Sequence, residues 1–317
     1  MTTQHPKVFI TGATGFVGLA LVTALLAKGY ALRALVREMS ERLPGAVEQV
    51  VGELGQPVDL AGAQVVIHAA ARVHVMQDKT ADPLAAFRAV NVEGTLALAR
   101  QAIAAGVRRF IFVSSIKVNG EGTAPGKPYT AHDAPAPVDP YGISKLEAEQ
   151  GLKALAHASG MELVIVRPVL VYGPGVKANL RSMMNWLHKG IPLPLGRVAN
   201  KRSLVALDNL VDLIVTCIEH PAAANQTFLV SDGEDLSTTQ LLARMGKALH
   251  RPAWLVPVPV ALLELGGKLL GRQAMINRLC GSLQVDISHT RETLGWAPPV
   301  CVNDALQKTA EHFLCTD

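Results

Sequence analysis

Short runs of apolar residues, many of them β-branched, alternate with longer stretches of helical periodicity through the first half of the chain. The apolar runs lack polar alternation, which is typical of parallel strands buried on both faces of a sheet. The runs lie at residues 8–10, 32–36, 65–67, 110–113 and 163–166, and the helical stretches at residues 16–28, 82–105 and 140–159. This alternation predicts an α/β fold with a doubly wound parallel sheet of the Rossmann type.

The regular alternation ends after Arg167. Turns rich in glycine and proline follow at residues 173–175 and 191–196, which favours elements added over the carboxyl edge of the sheet. A further strand and helix at residues 204–219 are expected to return to the sheet, and Ser237 is expected to cap the helix that follows it. We therefore predict a Rossmann domain of residues 1–171 plus about 204–230, and a smaller C-terminal substrate-binding region of residues 172–203 and 231–317.

The charge of the chain limits its partners. The 317 residues carry a formal net charge of +4, with basic and acidic residues intermixed along the sequence. Duplex nucleic acid requires a long basic face, which this pattern does not provide, so nucleic acid is not an expected partner. A local site for an anionic ligand is still compatible with the sequence.

The cysteines and the apolar stretches indicate the compartment. No CxxC or Cys/His ligand pattern is present, so we expect reduced thiols and no metal site. The short polar N-terminus leads directly into the first strand, which predicts a cytoplasmic protein without a signal segment. The longest apolar stretch, residues 252–263, contains Pro257 and Pro259 and is shorter than the ~20 residues of a spanning helix. Burial in the core or an interface is therefore favoured over membrane attachment. The cysteines are Cys217, Cys280, Cys301 and Cys315.

A glycine-rich segment, residues 11–18, follows the first strand and opens the first helix. Gly12 permits a tight turn, Gly15 lets backbone amides approach a pyrophosphate, and Gly18 allows the helix to pack closely on the strand. The alternative is a strand–helix turn that binds nothing. The candidate cofactor-binding residues of this loop are Gly12, Thr14, Gly15, Phe16 and Val17.

Small residues just after the strand predicted at residues 65–67 favour the cofactor interpretation. Ala69, Ala70 and Ala71 leave room for a cofactor that lies across the sheet edge, where larger side chains would collide with it. His68, which precedes them, is either a cofactor-side residue or a packed residue at the strand end.

The end of the second strand bears on the choice of cofactor. An acidic residue there would bind the adenosine ribose hydroxyls, but Arg37 occupies this position. A carboxylate would repel the 2′-phosphate of NADP, whereas Arg37 can pair with it, so NADP(H) is favoured and NAD(H) is the alternative. A solvated arginine that contacts no cofactor is also compatible with the sequence. Glu53 and Leu54, which follow a further strand between the runs at residues 32–36 and 65–67, are expected near the adenine.

Tyr141 and Lys145 form the candidate catalytic pair. They are four residues apart near the start of a helix and therefore share one face. An ammonium group near the phenol and the positive charge of oxidised nicotinamide both favour the phenolate, so Tyr141 is expected to be easier to ionise. Ser114 and Ser115 follow the strand predicted at residues 110–113, and the Ser115 hydroxyl is expected to hold the reacting oxygen at the carboxyl edge of the sheet.

Over nearly its whole length the sequence resembles the extended short-chain dehydrogenases/reductases, which include the epimerases, dehydratases and reductases of nucleotide sugars. Besides the glycine loop and the Ser/Tyr/Lys set, residues 91–95 resemble the family's cofactor-side helix motif, and residues 167–168 and 171–175 its post-strand signature. The resemblance adds Asn91, Ser114 and Pro168 to the cofactor-binding residues.

The resemblance also implies substrate contacts. Asn179 and Leu180 match a family position at the nucleotide diphosphate, and Arg202 matches the arginine that meets a phosphate in enzymes of UDP-sugars. Arg278 is a candidate second phosphate-binding arginine, although its spacing departs from the family's Arg-x-Gly-Asp pattern. A UDP-sugar is therefore the expected substrate.

Departures from the family patterns bear on the reaction. Residues 115–117 lack the acid pair of the 4,6-dehydratases, which disfavours dehydration. Arg37, and Leu170 where UDP-galactose 4-epimerases place an asparagine, favour net reduction. Residues 114–120 and 282–288 resemble reductases of the surface-polysaccharide group. The leading hypothesis is NADPH-dependent C4 ketoreduction of a UDP-4-keto-6-deoxy-N-acetylhexosamine in O-antigen or capsule sugar synthesis.

Two alternatives remain open. The first is a UDP-hexose 4-epimerase that retains NAD, acting on UDP-glucose and UDP-galactose or their N-acetylated forms. The second is a non-catalytic nicotinamide-sensing protein, although such proteins usually lack an intact Tyr/Lys pair. The resemblance further implies a homodimer that associates through the helices at residues 82–105 and 140–159.

Overall fold

A computed structural model of the chain, which describes residues 5–73 and 82–316, contains one large and one small β-sheet. The strands of the described residues are β1 (Val8–Thr11), β2 (Leu32–Val36), β3 (Glu48–Val51), β4 (Val65–His68), β5 (Arg109–Val113), β6 (Glu162–Pro168), β7 (Leu170–Tyr172), β8 (Arg202–Ala206), β9 (Gln226–Val230) and β10 (Asp235–Leu236). Seven strands form a parallel sheet in the order β3-β2-β1-β4-β5-β6-β9. The strand order reverses between β1 and β4, which is where ligands bind in such sheets.

Helices cover both faces of the large sheet. The α-helices of the described residues are, in chain order, α1 (Phe16–Ala27), α2 (Pro83–Arg88), α3 (Thr95–Ala104), α4 (Pro140–Ser159), α5 (Ala178–His188), α6 (Leu207–Glu219), α7 (Thr238–Ala248), α8 (Val260–Leu269), α9 (Gln273–Cys280), α10 (Ser288–Leu294) and α11 (Val302–Thr316). Apolar residues of α1 and α6 pack on one face, and those of α3 and α4 on the other. The doubly wound α/β fold is therefore confirmed, and the five predicted apolar runs are strands of the large sheet.

Two predicted elements differ in the structure. The helix predicted at residues 82–105 is interrupted by a π-helical turn, Ala89–Gly94, and such turns are frequent at functional sites. The strand predicted from residue 204 does not return to the large sheet, because β9 occupies the edge of β6. Instead, β8 pairs in parallel with β7 and antiparallel with β10 in the small sheet. The predicted cap is present, since the Ser237 hydroxyl accepts a hydrogen bond from the Gln240 amide at the start of α7.

The apolar stretch at residues 252–263 is only partly buried. Val260 and Leu263 pack against a second core, which lies between the small sheet, α5, α7 and α11. Trp254 and Leu262 are 70% and 57% exposed, so of the two expected environments, core or interface, the core does not hold these two side chains. Within residues 5–73 and 82–316, no helix is long and apolar enough to cross a bilayer.

Asn209 ties α6 to the segments on either side of it. Its side-chain amide donates to an Asp232 carboxylate oxygen at 2.7 Å and to the Val300 carbonyl at 2.8 Å, and its carbonyl oxygen accepts from the Val300 amide at 2.9 Å. Asn209 is fully buried. These hydrogen bonds connect α6 to the C-terminal region. Their loss would be costly, because a buried polar group without a partner is unfavourable.

We expect Asn209→Ala to lower the free energy of unfolding by about 2–3 kcal/mol, since it leaves the half-buried amide and carbonyl of Val300 without this partner and removes one of the donors to Asp232. Urea unfolding followed by circular dichroism measures the change. Asn303→Ala, at an exposed position of α11, is the control and should stay within ~0.5 kcal/mol of the native protein. Equal effects of the two substitutions would contradict this role for Asn209.

Candidate active site at the carboxyl edge of the sheet

The glycine loop is built for close backbone approach. Gly12 has a φ of +73°, and a Cβ there would lie 2.6 Å from the Ala70 amide nitrogen. A Cβ at Gly18 would lie 2.0 Å from the Gly12 carbonyl oxygen, so only glycine lets α1 begin directly against the loop. Gly15 is the N-cap of α1; it provides no side-chain cap, and the first turn has no acidic residue. The free amides of this turn therefore suit the pyrophosphate of a dinucleotide.

His68 has a structural contact on each side of its ring. Its Nδ1 shares a 2.6 Å hydrogen bond with the Thr11 hydroxyl, and its Nε2 a 2.8 Å hydrogen bond with the Thr95 hydroxyl. Burial, with a smaller contribution from Lys145, lowers the pKa of His68 to about 3, so the ring is neutral. Both ring nitrogens are engaged, which leaves the packed alternative as the better description of this side chain. Ala69, Ala70 and Ala71 are half-buried beside the glycine loop.

The residues expected around the adenosine lie on the other side of the loop. Arg37 and Glu53 are exposed at the ends of β2 and β3, and Leu54 is half-buried. A basic residue that the sequence analysis missed, Arg42, donates from its guanidinium to the Thr14 carbonyl at 3.0 Å. Spacing along the chain carries no signal for Arg42, because the contact depends on how the β2–β3 connection folds back.

Asn91 lies within the π-helical turn and is buried. Its side-chain oxygen accepts from the Arg72 amide at 2.8 Å, and its amide donates to the Arg72 carbonyl and to the Ser144 hydroxyl. Asn91 therefore fixes the backbone just after the three alanines and connects it to α4. Residues 74–81, which follow, lie outside the described residues.

Tyr141 lies at the carboxyl edge of the large sheet, where the Ser115 hydroxyl acts on its phenol in the direction of a lower pKa. Asp139 caps α4 by accepting from the Gly142 amide at 2.6 Å, and its other carboxylate oxygen pairs with Lys117. A Cβ at Gly142 would lie 2.8 Å from the Lys117 carbonyl oxygen, so glycine at this position lets the start of α4 lie against the turn that follows Ser115. The helix cap and the close approach together place Tyr141 beside Ser115.

The ionisation of Tyr141 differs from the expectation. Burial raises the pKa of Tyr141 to about 12, Asp139 acts in the same direction, and the hydrogen bond from Ser115 opposes them. Lys145 does not lower it, because burial brings the pKa of the Lys145 ammonium down to about 7, against the attraction of Glu149. The side chains alone therefore do not favour the phenolate, and the charge of a bound oxidised nicotinamide is the remaining source of that shift.

Lys145 is held beneath the site rather than against the phenol. Its Nζ donates to the Val113 carbonyl at 2.8 Å and lies 4.2 Å from the centre of the Phe112 ring. The residue is 1% exposed. The lysine thus binds the last residue of β5, directly before the two serines.

Glu149, which the sequence analysis missed, continues the same face of α4. Its Oε1 accepts from the Ser114 hydroxyl at 2.5 Å, and both of its oxygens accept from the Arg167 guanidinium. Ser114 therefore points into the core, and its side chain is occupied there. The spacing of four residues from Tyr141 to Lys145 to Glu149 was the available signal, because such residues line one helix face.

The residues predicted to contact substrate lie in the C-terminal region. Asn179 is exposed in the first turn of α5, whereas the Leu180 side chain is 3% exposed and packs in the second core. The Arg202 guanidinium donates to the carbonyls of Arg278 and Gly281 at 2.9 and 3.1 Å. Arg202 and the backbone of Arg278 are thus brought together, while the Arg278 side chain is exposed. Pro168 is buried at the end of β6.

These features fit a nicotinamide dinucleotide. The glycine loop leaves space that a Cβ would fill, and the uncapped start of α1 suits a diphosphate. The Ser115 and Tyr141 hydroxyls can exchange a proton with an alcohol or carbonyl oxygen. Among the described residues, no cluster of three His, Cys, Asp or Glu side chains could hold a metal ion.

Comparison with known proteins agrees with this geometry. Residues 8–231 match the model of the NAD dependent epimerase/dehydratase family. The chain is 53% identical to a UDP-glucose 4-epimerase of Vibrio cholerae, over 98% of this chain and 97% of that protein.

Solved structures share the fold. A UDP-glucose 4-epimerase of Thermotoga maritima with UDP-glucose superposes with a TM-score of 0.78 at 22% identity, covering 98% of this chain and 99% of that one. A UDP-glucuronic acid 4-epimerase of Bacillus cereus in complex with NAD gives a TM-score of 0.79 at 19% identity, with the same coverage.

We expect Lys145→Met to raise the free energy of unfolding at pH 7 by about 1–3 kcal/mol, because the buried ammonium is held at an unfavourable pKa. The pKa of Lys145 falls from 10.5 to about 7 on folding, so the unfolded chain binds more protons between these values. Native stability therefore rises with pH across this window, and the advantage of the variant shrinks toward pH 10. Urea unfolding at pH 7 and pH 9 measures both effects.

Lys153→Met, at an exposed position of the same helix, is the matched control and should show neither effect. A Lys145→Met variant less stable than the native protein at pH 7 would show instead that the ammonium stabilises the fold.

Proposed function

The chain belongs to the NAD dependent epimerase/dehydratase family, and on that premise we propose that it is a UDP-hexose 4-epimerase that keeps its NAD bound. The match confirms the resemblance to the extended short-chain dehydrogenases/reductases. The observation that carries the proposal is the placement of Ser115, after β5, beside Tyr141, at the start of α4, where the serine hydroxyl acts on the phenol. The similarity to the Vibrio cholerae enzyme over nearly the whole chain supports epimerisation over the other reactions of the family.

The proton chemistry belongs to the side chains. A bound nicotinamide supplies the acceptor and donor of the hydride that leaves and returns at C4 of the sugar. Tyr141 takes the proton of the C4 hydroxyl during oxidation and returns it during reduction, and Ser115 holds the same oxygen. Lys145 contributes by holding the end of β5 through its hydrogen bond to the Val113 carbonyl. Between the two half-reactions the ketosugar turns, so the opposite face is reduced.

The C-terminal region, residues 172–203 and 231–317, is the proposed site of the nucleotide diphosphate. Residues 173–207 contain no Asp or Glu, and their basic residues are Lys177, Arg181, Lys189, Arg197, Lys201 and Arg202. Arg202 is the proposed phosphate contact, because burial lowers its pKa while its guanidinium is oriented by two carbonyl groups. Asn179 and Arg278 are exposed and able to contribute, whereas Leu180 would act only through its backbone.

C4 ketoreduction of a UDP-4-keto-6-deoxy sugar remains a second candidate, favoured by two observations. Arg37 is exposed where an acidic residue would favour NAD, and Leu170 is 48% exposed where UDP-galactose 4-epimerases place an asparagine. The relatives support epimerisation better than this reaction. We also retain, as proposals, a cytoplasmic location and a homodimer through α2, α3 and α4.

The deciding experiment follows nicotinamide absorbance and product identity together. The purified protein receives UDP-galactose in one reaction, and a UDP-4-keto-6-deoxy sugar with NADPH in a parallel one. We expect conversion of UDP-galactose to UDP-glucose, identified by NMR, without a net change in absorbance. Stoichiometric loss of NADPH with formation of a reduced sugar would replace the epimerase by the ketoreductase.

We expect Tyr141→Phe to lower turnover by ~10²–10⁴-fold while cofactor binding stays largely intact, because the variant loses only the proton donor and acceptor. Turnover is measured by product NMR and cofactor binding by fluorescence. Tyr30→Phe is the control: the Tyr30 hydroxyl donates to Glu219, and its loss should leave turnover near the native rate. Retained turnover in Tyr141→Phe would remove this residue from the mechanism.

We expect the native protein to bind NAD more tightly than NADP, and Arg37→Asp to weaken NADP binding further by ~10-fold or more, since only the 2′-phosphate would use this guanidinium. NAD binding should change little. Titration of the cofactor-free protein with each dinucleotide measures both affinities.

Arg100→Asp, on the exposed side of α3, controls for the change in net charge. Tighter binding of NADP by the native protein, reversed by Arg37→Asp, would instead support the ketoreductase.

A further inference from the structure

The outward face of α8 is apolar although nothing within the described residues covers it. Leu262, Leu265 and Leu269 follow one another at helical spacings of three and four residues and are 57%, 54% and 79% exposed. The opposite side of the helix is the packed one, because a Cβ at Gly267 would lie 2.6 Å from the Ile276 side chain of α9. Both sides of α8 are therefore apolar, and only one is used by the fold.

A neighbouring pair of extended segments has the same character. The Leu193 amide donates to the Trp254 carbonyl at 2.8 Å, and the Val256 amide donates to the Leu193 carbonyl at 2.8 Å. Leu193 and Leu255 pack into the second core, whereas Ile191, Trp254 and Val256 are 41%, 70% and 46% exposed. We name the following set the apolar face: Ile191, Trp254, Val256, Leu262, Leu265, Leu269 and Leu270.

This concentration is not the ordinary scatter of surface apolar residues. Seven of the fifteen large apolar side chains that are exposed in the described residues lie within residues 254–275. Single exposed apolar residues need no explanation, but a contiguous patch marks a binding surface. Tryptophan at such a patch suits the boundary between a membrane and water, because its ring is apolar and its N–H is polar.

Four exposed basic residues flank the apolar face along the chain. Lys189, Arg251, Lys268 and Arg272 lie beside it in sequence, and no carboxylate of residues 5–73 and 82–316 pairs with any of them. The single acid of α8, Glu264, is exposed, and after burial its charge helps to raise the pKa of Cys280 at the end of α9. A rim of one sign suits an anionic partner, whereas a symmetric dimer through this face would bring two basic rims together.

We propose that the apolar face docks the protein peripherally on the surface of a bilayer that contains anionic phospholipid. With ten residues, α8 is too short to span a bilayer, so it lies in the plane of the interface with its leucines among the acyl chains. The rim residues contact the headgroups. This docking does not depend on which reaction the site performs. The helix that carries the leucines packs on α9, and Arg202 donates to carbonyls at the end of α9.

The experiment is sedimentation of the full-length protein with vesicles of phosphatidylcholine alone or mixed with phosphatidylglycerol. We expect binding to the anionic vesicles to exceed binding to the neutral ones by ~10-fold or more and to weaken as salt is raised. The double variant Leu265→Glu/Leu269→Glu should lose this binding while its melting temperature and its turnover of soluble substrate stay near native. Lys268→Glu/Arg272→Glu should remove the preference for anionic vesicles.

The matched control is Val51→Glu/Leu314→Glu, which places two charges at exposed apolar positions outside the face and should bind vesicles as the native protein does. Equal sedimentation with neutral and anionic vesicles, or unchanged binding by the leucine variant, would overturn the proposal. Light scattering tests whether a second copy of the chain occupies the face instead. If the native protein self-associates and the leucine variant does not, the face is an interface between copies and the proposal is wrong. Because folding is followed by melting temperature, the result stands even if the proposed reaction fails.

Discussion

The active edge of the sheet depends on one stripe of α4 that holds the end of β5. Tyr141, Lys145 and Glu149 are spaced by four residues and contact, in turn, the Ser115 hydroxyl, the Val113 carbonyl and the Ser114 hydroxyl. Three consecutive residues of one segment are thus bound by three successive turns of one helix. The position of the Ser115 hydroxyl relative to the phenol is therefore set by the packing of α4 on the sheet, and a small shift of the helix would separate the two groups.

The anchor of this stripe is a buried ion pair. Glu149 and Arg167 are 1% and 2% exposed, and the third guanidinium nitrogen of Arg167, Nη1, donates to Asn119 Oδ1 at 3.0 Å. Taking two charges out of water is costly, but the cost is offset where every polar atom has a partner, as it is here. The same burial acts against Lys145, whose ammonium has fewer partners and a depressed pKa. The packing that maintains the geometry of the site thus also lowers the pKa of Lys145, and such shifted groups are common in active sites.

The C-terminal region solves a different problem. It has its own core between the small sheet and α5, α7 and α11, and it contains Arg202, whose guanidinium is oriented by the carbonyl of Arg278. A helix that is covered by a partner on its outer side can be apolar on both sides, as α8 is. Residues 173–207 carry basic but no acidic residues, which suits the phosphate proposed to bind there. On the outer side, the rim of the apolar face has the same sign, which suits a second anionic partner there.

Local signals determined much of this protein before any tertiary contact was known. Mostly apolar runs located the buried strands β1, β2, β4, β5 and β6, the glycines of residues 11–18 indicated the candidate dinucleotide loop, and the spacing of Tyr141 and Lys145 placed both on one helix face. Such features follow from backbone conformation and side-chain periodicity over a few residues. They establish the fold class and the family without reference to distant parts of the chain.

Other properties were decided by segments that meet only in the folded chain. Whether β8 or β9 pairs with β6 depends on a competition between runs of similar composition, and β9 takes that edge. The neutral state of His68 and the depressed pKa of Lys145 come from burial among residues far away in sequence. Arg42 reaches the glycine loop only through the path of a connection, and the leucines of α8 are exposed because nothing in the described chain packs over them. Strand pairing, desolvation and exposure depend on long-range contacts, which the order of residues does not reveal one segment at a time.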